Sequence, residues 1–233
     1  MIVLLLLSMM MMMWMVNVTS GQSCRRYNNN NNNSSNCLHS YKKYFLDSTS
    51  IRPACHRDRA ERAIKIARSF DFELNRVLDL GAGCGDVKMF LREDEVYIPS
   101  DLRSRDFPVL ECDYAREIPN VREIGAVFAL GVLEWMCDPH LFLKALRTYN
   151  TSMMLSYTAS DLHATSVPLA NSLTSEVLER MLREVGFSIE RKEIVMVRSI
   201  DGYADMNNLL YALTPSSTRR RSTGDFLFIN NYN

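Results

Sequence analysis

Residues 76–91 read RVLDLGAGCGDVKMFL, and no other stretch constrains the fold so strongly. A short apolar run from Val77 to Leu80, broken only by Asp79, leads into three glycines at alternate positions, Gly81, Gly83 and Gly85. Apolar runs of this length bounded by glycine read as buried strands. Glycines at such spacing serve a tight packing turn, or let the backbone come close to a ligand. A helix is predicted near Val87 to Arg92, so the order is strand, glycine turn, helix. That order aims backbone N–H groups and a helix N-terminus at one point.

The alternation continues on both sides. HRDRAERAIKIARSF (56–70) sets Ala60, Ala63, Ile64, Ala67 and Phe70 on one helical face, with charges opposite. VYIPSD (96–101), PVLECD (108–113), AVFALGV (126–132) and SMMLSY (152–157) read as strands. The third of these is apolar throughout, as expected of a strand covered on both faces. DPHLFLKALRTY (138–149) reads as a helix with Asp138 as N-cap and Pro139 in its first position. SEVLERMLREV (175–185) reads as another, capped by Thr174, with Glu176 in its first turn and Leu173 stapled onto Leu178; it stops at Gly186. FSIERKEIVMV (187–197) and NNLLYALT (207–214) close the domain as two strands. Strand–helix units followed by two strands imply an α/β sandwich around a mostly parallel sheet.

The loop reads GxGxG rather than the GxGxxG of dinucleotide dehydrogenases, which disfavours a nicotinamide-dependent oxidoreductase. LDLGAGCG resembles the first motif of the class I S-adenosylmethionine-dependent methyltransferase superfamily, an acid followed by GxGxG. Asp101 ends the second strand twenty-two residues after Asp79, and a carboxylate there can accept two hydroxyl hydrogen bonds. ECDY places Asp113 after the third strand. ALGVLEW resembles the segment after the fourth strand, with Glu134-Trp135 where the family often has an acid and a histidine. LTSEVLERMLREVGFSIERKEI looks like the late helix and sixth strand of small-molecule members. The resemblance spans roughly residues 57–214. It implies a three-layer, Rossmann-like methyltransferase fold with a seven-stranded, mostly parallel sheet whose last strand is antiparallel. It also implies S-adenosylmethionine as cofactor. Gly81, Gly83 and Gly85 would then let the backbone approach the cofactor, and Asp79 would brace the loop or reach the methionine ammonium through water. Asp101 would hold the ribose and Asp113 the adenine, and Leu130 and Gly131 would offer carbonyls near the amino-acid end. The plainer alternatives are a packing turn for the glycines, a strand-end cap for Asp101, a turn former for Asp113, a helix-start charge for Glu134 and a small filler for Cys84.

Methyl transfer from a sulfonium needs alignment and water exclusion above all. An oxygen or thiol acceptor can also need a base. His163 is the leading candidate, with Asp161 and Tyr157 beside it after the fifth strand; a surface histidine is the plain reading. Trp135 is placed either to stack on the cofactor or to pack in the core. No Asp/Asn-Pro-Pro-Tyr/Phe tetrad occurs. The 27 basic residues balance the 27 acidic ones, so no general attraction to nucleic acid is expected. A small-molecule or lipid-like acceptor is the first choice. A protein side chain as acceptor, and a non-catalytic binding module tethered at a membrane, are the alternatives.

The domain is predicted over residues 51–214. Residues 1–23 hold an uncharged apolar stretch, read as a secretory signal, a membrane anchor that leaves the domain in the cytosol, or a misassigned start. Residues 24–50, with six consecutive asparagines, are expected to be a disordered tether. Residues 215–233 form a tail holding Arg219-Arg220-Arg221, in which DFLFI (225–229) reads as a further edge strand. Asn17-Val18-Thr19, Asn33-Ser34-Ser35 and Asn150-Thr151-Ser152 matter only if the chain enters the secretory lumen. None of the six cysteines forms a CxxC pair, which disfavours a zinc site, and they are read as reduced, mostly buried thiols.

Overall fold

The computed structural model describes residues 23–26, 55–104, 106–162, 169–197 and 206–216. In chain order the elements are β1 (Ser23–Arg26), α1 (Arg57–Ser69), β2 (Arg76–Leu80), β3 (Val96–Asp101), β4 (Leu110–Glu111), β5 (Glu117–Asn120), β6 (Ala126–Leu130), α2 (Pro139–Arg147), β7 (Ser152–Tyr157), α3 (Ser175–Glu184), β8 (Phe187–Val197) and β9 (Met206–Pro215). Seven strands form one sheet in the order β4-β3-β2-β6-β7-β9-β8. The first five are mutually parallel, and β9 runs antiparallel to both β7 and β8. The chain moves outward from β2 to β4, then returns to β6 on the other side of β2. That reversal opens a crevice at the carboxyl ends of β2 and β6, where ligands bind in sheets of this kind.

Side-chain alternation along the strands produces three layers. Val77, Phe128, Met154, Leu210 and Ala212 pack with Ala60, Ala63, Ile64 and Ala67 of α1 on one face. Leu78, Leu80, Val127, Ala129, Met153, Leu155 and Tyr211 pack with Phe142 and Leu143 of α2 and Leu178 and Leu182 of α3 on the other. Each fully buried Leu, Val, Ile or Phe side chain stabilises the fold by about 1.5–3 kcal/mol, so both helical layers are held chiefly by the sheet. The expected starts of α2 and α3 and the expected end of α3 hold. The Asp138 carboxylate accepts from the Leu141 N–H at 2.8 Å, and the Thr174 hydroxyl from the Val177 N–H at 3.3 Å. Gly186 takes φ 90°, the left-handed turn that closes α3.

Four details differ from the sequence expectation. The helix expected near Val87–Arg92 is a 3-10 turn, Val87–Phe90. Arg68 of α1 takes the Phe90 carbonyl at 3.1 Å and the Glu95 carboxylate at 2.9 Å, turning the chain early into β3. The strand read over 108–113 shrinks to two residues at the sheet edge. Glu117–Asn120, not foreseen as a strand, pairs antiparallel with Ser23–Arg26. Cys24–Arg26 therefore belong to a two-stranded ribbon, in place of the first residues of the expected tether. The signal or anchor stretch up to residue 22, the tether from 27 to 50 and the tail from 217, with Arg219-Arg220-Arg221 and DFLFI, lie outside the described residues. Among the described residues no helix is long and apolar enough to cross a membrane.

The cysteine reading is corrected outright. Cys24, Cys55, Cys84, Cys112 and Cys137 are all disulfide-bonded, with Cys24 joined to Cys112 and Cys55 to Cys84. Their Cα atoms stand 5.9 and 5.6 Å apart. Folding brings together residues 88 and 29 positions apart in the chain, a proximity that sequence spacing does not report.

Candidate functional site

The glycine loop leaves β2 at the centre of the sheet. Gly81 and Gly83 have φ of 67° and 50°, in the left-handed region that side chains disfavour. A Cβ on Gly81 would lie 2.5 Å from Cγ2 of Val132, so space as well as backbone demands glycine there. The loop is pinned by its own N–H groups. Gly81 donates to the Tyr114 hydroxyl at 3.1 Å, Ala82 to the Ser100 carbonyl at 3.0 Å, and Gly83 to Oδ2 of Asp101 at 2.9 Å. Tyr114 in turn donates to Ser100 Oγ at 2.9 Å, and Ser100 Oγ to the Leu110 carbonyl at 2.8 Å. Burial pushes the Tyr114 phenol well above its ordinary pKa, so it stays a neutral donor and acceptor. Sequence reasoning missed Tyr114; its place one residue after Asp113 was the available signal.

The acids divide. Asp79 is 3% exposed and points to the α1 side of the sheet, where the Tyr97 hydroxyl donates to its Oδ2 at 2.7 Å. Its carboxyl is pushed up to about 7, chiefly by burial; the Tyr97 bond opposes this, while Asp101 and Asp86 add to it. Asp101 ends β3 at the rim. Its Oδ2 accepts from Gly83, and its Oδ1 accepts the Leu102 N–H at 2.6 Å. Each carboxylate oxygen has two acceptor positions, so both keep one for a ligand hydroxyl. Asp113 sits after β4, accepts the Ala115 N–H at 3.1 Å and lies 3.8 Å from Arg116. That is the geometry of the plain turn-former reading.

At the end of β6, the Leu130 carbonyl accepts from Arg59 of α1 at 3.1 Å, and a Cβ on Gly131 would lie 2.8 Å from Nη1 of the same residue. Arg59 is a cation the sequence reading missed, because a helix-face pattern marks it as one of the solvated charges. It donates to Oδ1 of Asn208 at 3.2 Å, and Asn208 donates to the Thr158 hydroxyl at 3.2 Å. The Thr158 N–H reaches Oε1 of Glu134 at 2.9 Å. Glu134 is 3% exposed and its carboxyl is raised by burial, against the pull of Arg59. Arg59 Nε and Glu134 Oε2 are buried without a hydrogen-bond partner. Burial lowers the Arg59 pKa, opposed by Glu134, Asp86 and Asp79.

The base candidates fare differently. Asp161 accepts the Ser175 N–H at 2.8 Å and its hydroxyl at 2.6 Å, which fastens the start of α3. Tyr157 donates to Asn171 at 2.6 Å, accepts the Leu173 N–H at 2.7 Å, and is pushed up to about 12 by burial. Both are committed to structure. Trp135 packs, half-buried, against the main core. His163 lies outside the described residues.

Comparisons with known proteins place the fold. No family model and no curated protein matches the chain. Solved structures do. One is 1,6-didemethyltoxoflavin-N1-methyltransferase of Burkholderia thailandensis, with bound 1,6-didemethyltoxoflavin and S-adenosylhomocysteine; it aligns over 86% of this chain and 98% of its own, with TM-score 0.58 and 13% identity. Another is an S-adenosylmethionine-dependent methyltransferase of Clostridium acetobutylicum, over 79% and 100%, with TM-score 0.52 and 12% identity. A third is the cyclase SpnF, over 77% and 94%, with TM-score 0.50 and 14% identity. The fold is the Rossmann-like fold of the class I S-adenosylmethionine-dependent methyltransferases. The cyclase shows that this fold also serves other chemistry, so the activity has to be argued from the site.

Proposed function

We propose that the chain is an S-adenosylmethionine-dependent methyltransferase acting on a small-molecule or lipid-like acceptor. The observation that carries this is the junction of Gly83 and Asp101: a left-handed glycine loop locked by its own N–H onto a rim carboxylate that keeps free acceptor positions. Beside it stand a buried acid, Asp79, and a guanidinium, Arg59, with a donor still unpaired. This set fits an adenosyl amino acid. Asp101 takes the ribose hydroxyls, the Gly81–Gly85 backbone lies against the cofactor, and Arg59 with the Leu130–Gly131 turn meets the amino-acid end. Asp113 reaches the adenine side through the turn it caps. The bound cofactor supplies an activated methyl group; the chain's residues hold and align it.

Mechanistically, the fixed hydrogen bonds of the loop remove motion before any ligand arrives, so that the donor can be held in line with the acceptor. Asp79 in its ionised form offers a negative charge to the cationic end of the cofactor. Asp161 and Tyr157 hold structure rather than protons, so positioning is the main source of catalysis. His163 is the remaining base in this reading.

A second reading is favoured by that same commitment of Asp161 and Tyr157: a binding module that holds the cofactor without turnover. Transfer of labelled methyl from S-adenosylmethionine into any acceptor of a cell extract separates the two. The cofactor assignment is tested first by affinity. S-adenosylhomocysteine is expected to bind in the micromolar range, Gly83→Arg to abolish binding and Asp101→Ala to weaken it severely; unchanged affinity in both variants refutes the assignment. The disulfides support a further part of the reading, that the chain matures in an oxidising compartment, which favours the secretory over the cytosol-facing version of residues 1–23.

A further inference from the structure

The domain's own disulfide cysteines are not scattered. Cys84 stands between Gly83 and Gly85 in the glycine loop, Cys112 directly precedes Asp113, and Cys137 lies two residues after Trp135. Each therefore sits in one of the loops at the carboxyl edge of the sheet. The partner of Cys84 is Cys55, two residues before α1. From there the next residues make further links to the same edge. The His56 N–H donates to Oδ2 of Asp86 at 2.7 Å, and Arg59 donates to the Leu130 carbonyl at 3.1 Å. The segment from Cys55 to Arg59 is thus a brace across two cofactor loops, and its one covalent joint is at Cys84.

We infer that the Cys55–Cys84 disulfide is a positioning element of the cofactor site, and that cofactor affinity depends on its oxidation state. This rests on the cofactor assignment above. Three glycines make residues 81–85 costly to order; the loop's fixed points are Gly81, Ala82 and Gly83 on one side and the Cys84 cross-link on the other. Both sulfurs belong to half-buried residues, within reach of a dithiol. In the exchange, a thiolate of the dithiol attacks one sulfur, the S–S bond breaks, and a mixed disulfide forms. The second thiol of the reductant then displaces the remaining cysteine. Two electrons and two protons end on Cys55 and Cys84, and the reductant leaves as its cyclic disulfide. The freed loop keeps its hydrogen bonds to β3 and the His56–Asp86 bond, but loses its covalent tie to the segment before α1.

Linkage makes the claim testable from both sides. If reduction weakens binding by a factor, saturating ligand must make the disulfide harder to reduce by the same factor. A tenfold effect corresponds to a midpoint about 30 mV more negative for this two-electron couple.

The experiment uses the full oxidised chain and S-adenosylhomocysteine. Affinity is measured by calorimetry for wild type and for Cys55→Ser/Cys84→Ser, with circular dichroism of both. In parallel, wild type is equilibrated in graded dithiol buffers with and without the ligand, then trapped and mapped by peptide mass. The expected results are an affinity loss of about tenfold or more in the variant, and a ligand-induced negative shift of the Cys55–Cys84 midpoint. The second measurement needs no variant, so it stands even if the variant does not fold. Binding with an unshifted midpoint overturns this inference alone. Absence of binding by the oxidised wild type overturns the cofactor assignment and this inference with it.

Discussion

Replacing Asp79 by asparagine should stabilise the ligand-free protein at alkaline pH while weakening its hold on a cationic ligand. Asp79 is 3% exposed, and burial is the main reason its carboxyl sits at about 7 instead of the ordinary 3.8. Keeping it ionised at about pH 8 therefore costs about 4 kcal/mol, at about 1.4 kcal/mol for each pH unit between the two values. The direction follows from proton counting. Between about pH 4 and pH 7 the folded protein binds more protons at this site than the unfolded chain, so stability falls as pH rises through that window and levels off above it. Below the window both states are protonated and no penalty remains. Asparagine does not ionise, and its carbonyl can still accept from Tyr97. The stability difference between variant and wild type should thus grow by up to about 4 kcal/mol from acid to alkaline pH, whatever constant offset the new carboxamide brings. Urea unfolding at about pH 5 and about pH 8, analysed by linear extrapolation, should show about 2.5–3 kcal/mol of this growth, because part of the penalty is already present at about pH 5. In wild type the cationic ligand favours the ionised acid, so S-adenosylmethionine should bind more tightly as pH rises towards 7; in the variant that dependence should vanish. Parallel stability-against-pH curves for the two proteins would refute the reasoning.

Other expectations follow from the same geometry. Asp101→Ala should weaken S-adenosylhomocysteine by about 1.5–3 kcal/mol or more, the worth of hydrogen bonds to a charged group, because the ribose acceptor and the Gly83 anchor go together; calorimetry reads the loss. Arg59→Met should weaken S-adenosylhomocysteine but leave methylthioadenosine, which lacks the amino-acid end, at its wild-type affinity; equal losses for both would move Arg59 out of the site. Asp161→Ala should lower the melting temperature slightly, as loss of a helix-start partner does, with no change in turnover. Alkylation of the unfolded but unreduced chain should label none of Cys24, Cys55, Cys84, Cys112 and Cys137, and mass spectrometry of the digest counts the labels.

The layers of the fold were legible because they follow from periodicity. The short apolar runs VLDL, AVFAL and SMMLSY mark strands covered on both faces, the Ala60–Ala63–Ile64–Ala67 stripe names the face α1 buries, and Asp138, Thr174 and Gly186 punctuate the helices through local hydrogen bonds and backbone conformation. The turn at Gly81, Gly83 and Gly85 and the place of Asp101 at the end of β3 were legible through the motif, which is a local backbone requirement. What was hidden depends on tertiary proximity. Arg59 looks like any charged residue of an amphipathic helix until α1 docks against β6. Tyr114 looks like a turn aromatic until its hydroxyl reaches Gly81. The β1–β5 ribbon has only four residues on each strand and no strong pattern, and the cysteine partners are joined across 29 and 88 positions. The position of Asp113 after β4 was legible from the motif, while the turn it makes with Ala115 and Arg116 shows only in the fold.

The most direct test of the central claim is calorimetric titration of the folded, oxidised chain with S-adenosylhomocysteine, with NADH alongside. The account predicts micromolar-range binding of the adenosyl compound at one site per chain and much weaker binding of the nicotinamide. A folded sample that binds neither, or that prefers NADH, would contradict it.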